Sequence, residues 1–356
     1  MKLLFITDTF PPAVCGIGDY TYRLTNEIYK LNNDISVLTK IENENHAAPF
    51  KVHNTVKSWS PLNFSKIKKH IIELNPDAIH IQYPNIKSIG YYLLPFLIKV
   101  MAKYRGKLVI SIHEHTHKTF IGKLANLTAV LFANVVIISE EQYQKSFRYF
   151  NSNIQPLTVL SNIPKASLTN TEKQFVKQKL NLGNKKLVSY FGFIVDHKGV
   201  DLLFEVCNPD EHYVLLIGDT TKFQSDYSKK IEKTLLTERW KNSAKATGFI
   251  SENDVANFLA VSDVCLFPFK KGVGERNASF NAALIQNTFI ITTHSKKEGY
   301  DSENNVFYTK IDDVKKMQEA LRDFENYSPS KNNIALTNSW SDLAKKHLAF
   351  YSRNEN

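Results

Sequence analysis

The chain of 356 residues carries a formal net charge of +10. Its 43% hydrophobic and 12% aromatic content, without an internal repeat or a long Gly/Ser/Pro or charge run, excludes fibrous, low-complexity and disordered classes. Cys15, Cys207 and Cys265 are odd in number and far apart, which excludes a disulfide framework and a clustered metal site, and no apolar run reaches the ~18 residues of a membrane span.

In chain order, Leu3–Ile6 reads as a strand. Thr7-Asp8 then interrupts the apolar run, which leaves it far short of the ~7–15 residues of an export signal, so a cytoplasmic protein is expected. A glycine turn at Gly16-Ile17-Gly18 leads into a helix over Asp19–Leu31 and a strand over Ile35–Thr39. Further apolar runs at Ala78–Ile81, Leu108–Ile112 and Val135–Ile138 are separated by helix-length amphipathic stretches. Continuous apolar strands alternating with helices predict a parallel sheet covered on both faces. From Leu160 to about Asn170 the chain is polar and contains Pro164, which reads as a domain linker. Alternation then resumes at Leu187–Phe191, Tyr213–Ile217, Ser243–Thr247, Val264–Phe267 and Phe289–Thr292. The expectation is α/β: two Rossmann-like domains, 1–165 and 166–335, facing a central cleft, with a terminal helix within 336–356. At that length two domains of roughly 150–180 residues are the default.

Charge follows the same division. Met1 to Lys165 holds 19 Lys and Arg against 11 Asp and Glu, a balance of +8 that leaves +2 for the remainder. No nucleic-acid motif accompanies it, so the basic half suits an anionic membrane surface or an anionic substrate. Tyr91 to Lys99, continuing to Lys103, Arg105 and Lys107, combines aromatics with a basic flank of the kind that lies on anionic lipid; the same pattern describes a helix packed on the sheet with a solvated end.

The chemistry-bearing segments are strand, glycine turn and helix in succession. Tyr190 to Asp201 places Lys198-Gly199 after a buried strand, and Gly272 to Thr293 places Gly274-Glu275-Arg276-Asn277-Ala278-Ser279 before an Ala/Leu-rich helix, with Asn277 or Ser279 as its N-cap. Backbone N–H groups at a helix N-terminus and a flexible cation can hold a diphosphate without a metal or a P-loop. Gly16 and Gly18 could bring N–H groups to a phosphate or a polar acceptor, or could serve only a turn that needs positive φ. His113 ends a buried strand, where a histidine is either structural or functional. His113, His115 and His117 alternate and would share one face of an extended segment, but a fourth zinc ligand is not evident, so no metal site is assigned.

Taken in order, Asp8-Thr9-Phe10-Pro11-Pro12 with Gly16-Ile17-Gly18, His80-Ile81-Gln82-Tyr83-Pro84, Ser111-Ile112-His113, Ser161-Asn162-Ile163-Pro164, Phe191-Gly192 to Lys198-Gly199, Gly248-Phe249, Ser262-Asp263-Val264, Gly272 to Asn287 and Ser339-Trp340 to Tyr351 resemble the retaining family 4 of GT-B glycosyltransferases over nearly the whole chain. The resemblance implies transfer of a hexose-type sugar from a nucleotide-sugar to a hydroxyl of a glycan or lipid-linked oligosaccharide, with retention, without metal or cofactor, in bacterial surface polysaccharide synthesis. It implies His113 beside the donor sugar and Lys198 and Arg276 on the diphosphate; the first of two family glutamates falls on Gly274, and Glu275 beside it is offered as a sugar-hydroxyl ligand. Gly16, Gly18, Gly248, Phe249, Asn277, Ala278 and Ser279 would line the donor site, the nucleotide being of UDP or GDP type. The terminal helix would cross back to the first domain, and the enzyme would be cytoplasmic, with the inner face of the plasma membrane as a docking surface. Two departures stand out: Phe193 occupies a place where relatives carry arginine, and the second of two family glutamates falls on Ala282. They support an alternative, a non-catalytic subunit that binds sugar-nucleotide or glycan.

Overall fold

In the computed structural model the described residues are 1–13, 15–40, 48–83, 88–113, 120–138, 147–156, 160–221, 224–274, 277–330 and 339–352. The chain divides into two compact units, Met1–Val159 with Asn338–Asn356, and Leu160–Thr337.

Unit 1 is built on a seven-stranded, all-parallel sheet in the order β3-β2-β1-β4-β5-β6-β7. Its strands are β1 (Lys2–Ile6), β2 (Asp34–Lys40), β3 (Lys51–Val56), β4 (Ala78–Tyr83), β5 (Lys107–Ile112), β6 (Val135–Ile138) and β7 (Ile154–Pro156). All six residues of β4 are buried, as expected of a strand covered on both faces. One face carries the apolar core, with Ile79, Ile81, Leu108 and Ile110 at its centre. On the other face lie α1 (Gly16–Lys30) and, from the far end of the sequence, the terminal helix over Trp340–Ser352, which packs on α1. Tyr20, Leu24 and Ile28 recur every four residues and supply the buried stripe of α1. The remaining helices used below are α2 (Phe64–Leu74) and α3 (Phe120–Phe132).

The segment from Tyr91 to Met101 does not form an amphipathic surface helix. It folds into short turns whose Tyr91, Leu94 and Ile98 are buried in the core, with the Tyr91 hydroxyl donating to the Gln82 carbonyl at 2.7 Å. Lys99 is likewise committed: its Nζ donates to the Gly106 carbonyl at 3.0 Å and to Asn134 Oδ1 at 2.8 Å.

Unit 2 repeats the plan with a sheet in the order β10-β9-β8-β11-β12-β14-β13, parallel except for the β13·β14 pair. Its strands are β8 (Lys186–Phe191), β9 (His212–Ile217), β10 (Ala244–Ala246), β11 (Val264–Phe267), β12 (Phe289–Thr293), β13 (Gly299–Asp301) and β14 (Val306–Thr309). The helices around it are α4 (Asn170–Gln178), α5 (Asp226–Leu235), α6 (Glu252–Val261), α7 (Ala278–Gln286) and α8 (Val314–Asp323), so the terminal helix is α9. Thr169 and Glu172 form a capping box that fixes the start of α4. The polar stretch after Leu160, expected as a linker, is docked on unit 2. Ile163 is buried, and Gln286 of α7 accepts from the Ala166 N–H at 2.8 Å while donating to the Pro164 carbonyl at 2.8 Å.

Candidate functional site

In unit 2 the strand order reverses beside β8, because the chain runs outward through β9 and β10 and then returns to β8's other side with β11. Ligands of open parallel sheets bind at the carboxyl ends of the strands flanking such a switch point. Several residues singled out from the sequence gather there. Gly192 follows β8 with φ +135°, and a Cβ placed on it would lie 3.4 Å from the Cβ of Ser279 in the first turn of α7. The amino end of α7 therefore abuts the end of β8. Asn277 is the N-cap by backbone position, but its side chain makes no capping bond. Among the described residues no side chain caps the first-turn N–H groups, which could serve another acceptor.

Lys198 stands on the neighbouring loop. It lies within a 3-10 turn over Asp196–Lys198 rather than at the mouth of a long helix, and the chain needs a second such turn over Val200–Leu202 before the short helix Leu203–Val206. Gly199 closes the first turn at φ +66°, and an added Cβ would come within 2.1 Å of the Pro268 carbonyl oxygen, so only glycine lets the Lys198 loop pack on the end of β11. Lys198 Nζ sits 4.6 Å from the centre of the Phe269 ring, and burial pulls its pKa below the usual lysine value. The acids of the same loop are taken by other cations. Asp196 pairs with Lys270 at 2.7 Å, and Asp201 lies 3.5 Å from Lys230 and 3.9 Å from Lys270. Among the described residues Lys198 has no ion-pair partner. A desolvated ammonium with no ion-pair partner among the described residues, on the loop that follows the strand whose end α7 abuts, is a place for an anion.

The other expected donor residues divide into three groups. Glu275 and Arg276 lie outside the described residues. Gly248 (φ +70°) and Phe249 form the turn between β10 and α6, with the Phe249 ring 84% exposed. Ala278 is exposed and Ser279 half-buried at the start of α7. Phe193 is exposed, and the Tyr190 hydroxyl donates to its carbonyl at 2.9 Å. Ala282 is fully buried in the core of unit 2 and offers no polar group to a ligand.

Unit 1 presents a different arrangement. The helix begins at Gly16 itself, with Cys15 as N-cap, so neither Gly16 nor Gly18 occupies a positive-φ turn. Gly18 instead permits close packing, since a Cβ there would lie 3.1 Å from the Thr9 carbonyl oxygen. His113 follows β5, is 9% exposed, and donates from Nε2 to Gln82 Oε1 at 2.7 Å. The Tyr20 ring of α1 meets it edge-on at 5.3 Å and is backed in turn by Trp340. His115 and His117 lie outside the described residues, and among the described ones no three His, Cys, Asp or Glu side chains gather as a metal site would require.

Two features escaped the sequence. Asp8 is a structural tie, accepting from Trp59 Nε1 at 2.6 Å and pairing with Lys40 at 2.7 Å. His80, inside the His-Ile-Gln-Tyr motif, is fully buried and bonds Tyr351 of α9 and Ser111 of β5, each at 2.7 Å. Period-two alternation along β4 puts His80 and Gln82 on one face, which was the available signal.

No protein-family profile matches the sequence, and no curated protein is similar to it. Solved structures are similar over the whole chain. Anabaena HepE in complex with UDP is 16% identical over 99% of this chain and 97% of its own, with a TM-score of 0.69. A glycosyltransferase from Rickettsia africae is 13% identical over 98% of both chains, with a TM-score of 0.73. WaaG, a glycosyltransferase involved in lipopolysaccharide biosynthesis, is 16% identical over 98% of this chain and 96% of its own, at 0.60. The chain shares the GT-B glycosyltransferase fold with them, as the motifs led one to expect.

Proposed function

We propose, from that shared fold, that the protein is a glycosyltransferase that moves a sugar from a nucleotide-sugar to a hydroxyl group. The observation that carries the reading is Lys198, a half-buried cation with no ion-pair partner among the described residues, on the loop after β8, the strand at the switch point of unit 2 whose end α7 abuts. There the diphosphate of a donor of UDP or GDP type would sit, with Gly192 and Ser279 leaving room for its oxygens. Charge that builds on the leaving oxygen would be met by Lys198 and the α7 N–H groups, with Arg276 as a second cation by resemblance and Glu275, beside the place of the family glutamate, on a sugar hydroxyl. Gly248 and Phe249 would flank the base.

In this reading the anomeric configuration is retained, and the leaving diphosphate takes the acceptor proton. The absence of an Asp-x-Asp motif from the sequence supports chemistry without a bound metal, and no cofactor is needed. Unit 1 would supply His113 and the acceptor site. The acceptor fits a growing glycan or a lipid-linked oligosaccharide of a bacterial surface polysaccharide, met at the cytoplasmic face of the membrane. Among the described residues of unit 1, exposed Val100, Met101, Leu124 and Leu131 and the cations Lys103, Arg105, Lys123 and Arg148 favour an anionic lipid surface.

Calorimetric titration with UDP, GDP and ADP, followed by a transfer and hydrolysis screen of the matching nucleotide-sugars, tests the reading. Binding of at least one nucleoside diphosphate with turnover of its sugar is expected. Binding without turnover of any sugar would favour the alternative of a non-catalytic subunit, which exposed Phe193 and buried Ala282 support. No binding at all would overturn both.

A further inference from the structure

The loop that carries Lys198 is gripped from two sides. On one side is α5, whose start is set by Ser225, the side-chain oxygen accepting from the Ser228 N–H at 3.1 Å. That places Tyr227 in the first turn and Lys230 three residues on, a spacing that puts both on one side of the helix. The Tyr227 hydroxyl accepts from the Asp201 N–H at 3.0 Å and donates to Asp201 Oδ1 at 2.7 Å, so a single oxygen holds the backbone and the side chain of the same residue. Lys230 Nζ lies 3.5 Å from Asp201 Oδ2.

On the other side is the turn after β11. Lys270 Nζ pairs with Asp196 Oδ1 at 2.7 Å, lies 3.9 Å from Asp201 Oδ1 and stands 5.5 Å from the centre of the Tyr227 ring, while the Lys270 N–H donates to the His197 carbonyl at 3.1 Å. The residue before Lys270 is Phe269, whose ring faces Lys198 Nζ at 4.6 Å. Its carbonyl accepts from the Thr293 hydroxyl at 2.5 Å and from the Gly272 N–H at 2.9 Å, which fixes the turn to β12. Bonds on Asp196, His197 and Asp201 thus bracket Lys198 in sequence, and the group its ammonium rests on belongs to the turn that makes two of them.

The loop needs such anchors. Two 3-10 turns joined by a left-handed glycine have few bonds of their own, and those they have are of the poorer i→i+3 kind. Asp196 and Asp201 would also oppose an anion brought to Lys198, but Lys270 and Lys230 offset their charge. A cation whose backbone is already held meets its ligand with less ordering to do, and so binds it more tightly. We propose that Tyr227 and Lys270 are positioning residues: they fix the loop of Lys198 against α5 and the β11 turn, so that a diphosphate finds the ammonium already in place. The inference rests on the reading of Lys198 given above and adds two residues that act through it.

The test is a double-mutant cycle on the full chain, with binding of UDP, and of GDP in parallel, read by ligand-observed NMR, which reaches weak affinities. Tyr227→Phe removes one oxygen and leaves the ring in place, and it should weaken binding about tenfold, the size expected from losing two hydrogen bonds, one of them to a carboxylate. Lys270→Met should weaken it about threefold, since the Asp196 partner is largely exposed. In a Lys198→Ala background Tyr227→Phe should change binding less than about twofold, because a residue that acts through Lys198 has nothing left to position. Thermal unfolding of each variant shows that it is folded. An equal loss in both backgrounds would overturn the proposal and assign Tyr227 to the general stability of unit 2, and so would wild-type binding in Tyr227→Phe; wild-type binding in Lys270→Met would strike Lys270 from it. If Lys198→Ala binds as the wild type does, or the wild type binds neither nucleotide, the reading of Lys198 itself fails and the inference falls with it. Those outcomes appear before Tyr227 is touched, so the two failures are told apart.

Discussion

The two units offer opposite kinds of chemistry on the same βα plan. In unit 1 the candidate site is buried and its side chains bond one another: His113 to Gln82, and His80 to Ser111 and Tyr351, with Gln82 3.5 Å from His80. In unit 2 it is charged and unfinished: among the described residues Lys198 has no ion-pair partner, and the Asn277 side chain does not cap α7. A satisfied network stabilises one geometry and has little left to bind with, whereas an unsatisfied cation beside orphan N–H groups is stabilised only when an anion arrives. The first arrangement suits orientation and the second suits capture.

The largest expected effect breaks the second half of that comparison. Lys198→Ala should lower turnover about 10²–10³-fold, the loss typical of removing one group that stabilises developing charge. It should also weaken nucleoside diphosphate binding measured by calorimetry. Lys198→Arg should recover part of it. Wild-type kinetics in the alanine variant would remove the phosphate role from unit 2.

Acid should break the first half. Burial depresses the His347 pKa to about 4, while in the unfolded chain the same ring titrates near the ordinary 6.5. Below 6.5 the unfolded state binds the proton that the native state refuses, so stability is intact above that pH and falls as pH drops toward 4. The full loss is on the order of 3 kcal/mol for this group. His80 is shifted in the same direction by burial and adds to the loss. Denaturant unfolding followed by tryptophan fluorescence should show unit 1, through Trp340, losing stability over that window. In His347→Gln the dependence should flatten. A curve unchanged by the substitution would mean that His347 does not hold its depressed pKa.

A smaller effect concerns the Lys198 loop. Gly199→Ala puts a side chain at φ +66° and against the Pro268 carbonyl oxygen, and should cost at least about 1–2 kcal/mol from the left-handed backbone alone. Thermal unfolding measures this, and calorimetry on the folded variant should show weaker diphosphate binding because Lys198 has been displaced. Unaltered stability would show that the loop relaxes without loss.

Much of the fold was legible because parallel strands buried on both faces read as uninterrupted apolar runs, as in Val135–Ile138 and Val264–Phe267. Strands without that signature were missed. Edge strand β3 is half-buried and reads Lys-Val-His-Asn-Thr-Val, and β13 is three partly exposed residues. The turn that carries Lys198 was legible because Gly199 sits beside it in sequence, while the role of Lys198 came from the family resemblance. The His80–Tyr351 bond was not, since its partners are 271 residues apart and nothing local to either asks for the other. For the Tyr91 stretch the sequence left two readings, a surface segment or a helical stretch packed on the sheet with a solvated end, and the structure takes the second: the Tyr91 hydroxyl finds the Ile6 and Gln82 carbonyls inside the protein, while Val100 and Met101 stay exposed.

The lipid surface proposed for unit 1 is then better sought on another part of the same unit. On α3, Phe120, Leu124 and Leu131 recur along one side and are 81%, 56% and 55% exposed. At the far end of the helix, Asn151 donates to the carbonyls of Val130 and Ala133, and Lys99 bonds Asn134, which brings exposed Tyr149, Phe150, Val100 and Met101 to the same end. The charged side chains of the described residues from 88 to 156 are all basic; Glu114, Glu140 and Glu141 lie outside them. Lys99 is spent on internal bonds, so the cations available to a surface are Lys103, Arg105, Lys123 and Arg148, each exposed. Each cation near an anionic headgroup layer contributes about 1 kcal/mol, so attachment should be reversible and weaken with salt. Changing the four to glutamine should abolish co-sedimentation with phosphatidylglycerol vesicles while leaving nucleoside diphosphate affinity intact, because the cation assigned to that ligand belongs to unit 2. Changing Lys99 alone should instead lower stability with little effect on sedimentation. A wild-type protein that stays in the supernatant even at low salt would assign the positive charge of unit 1 to a soluble anionic acceptor, or to solubility alone.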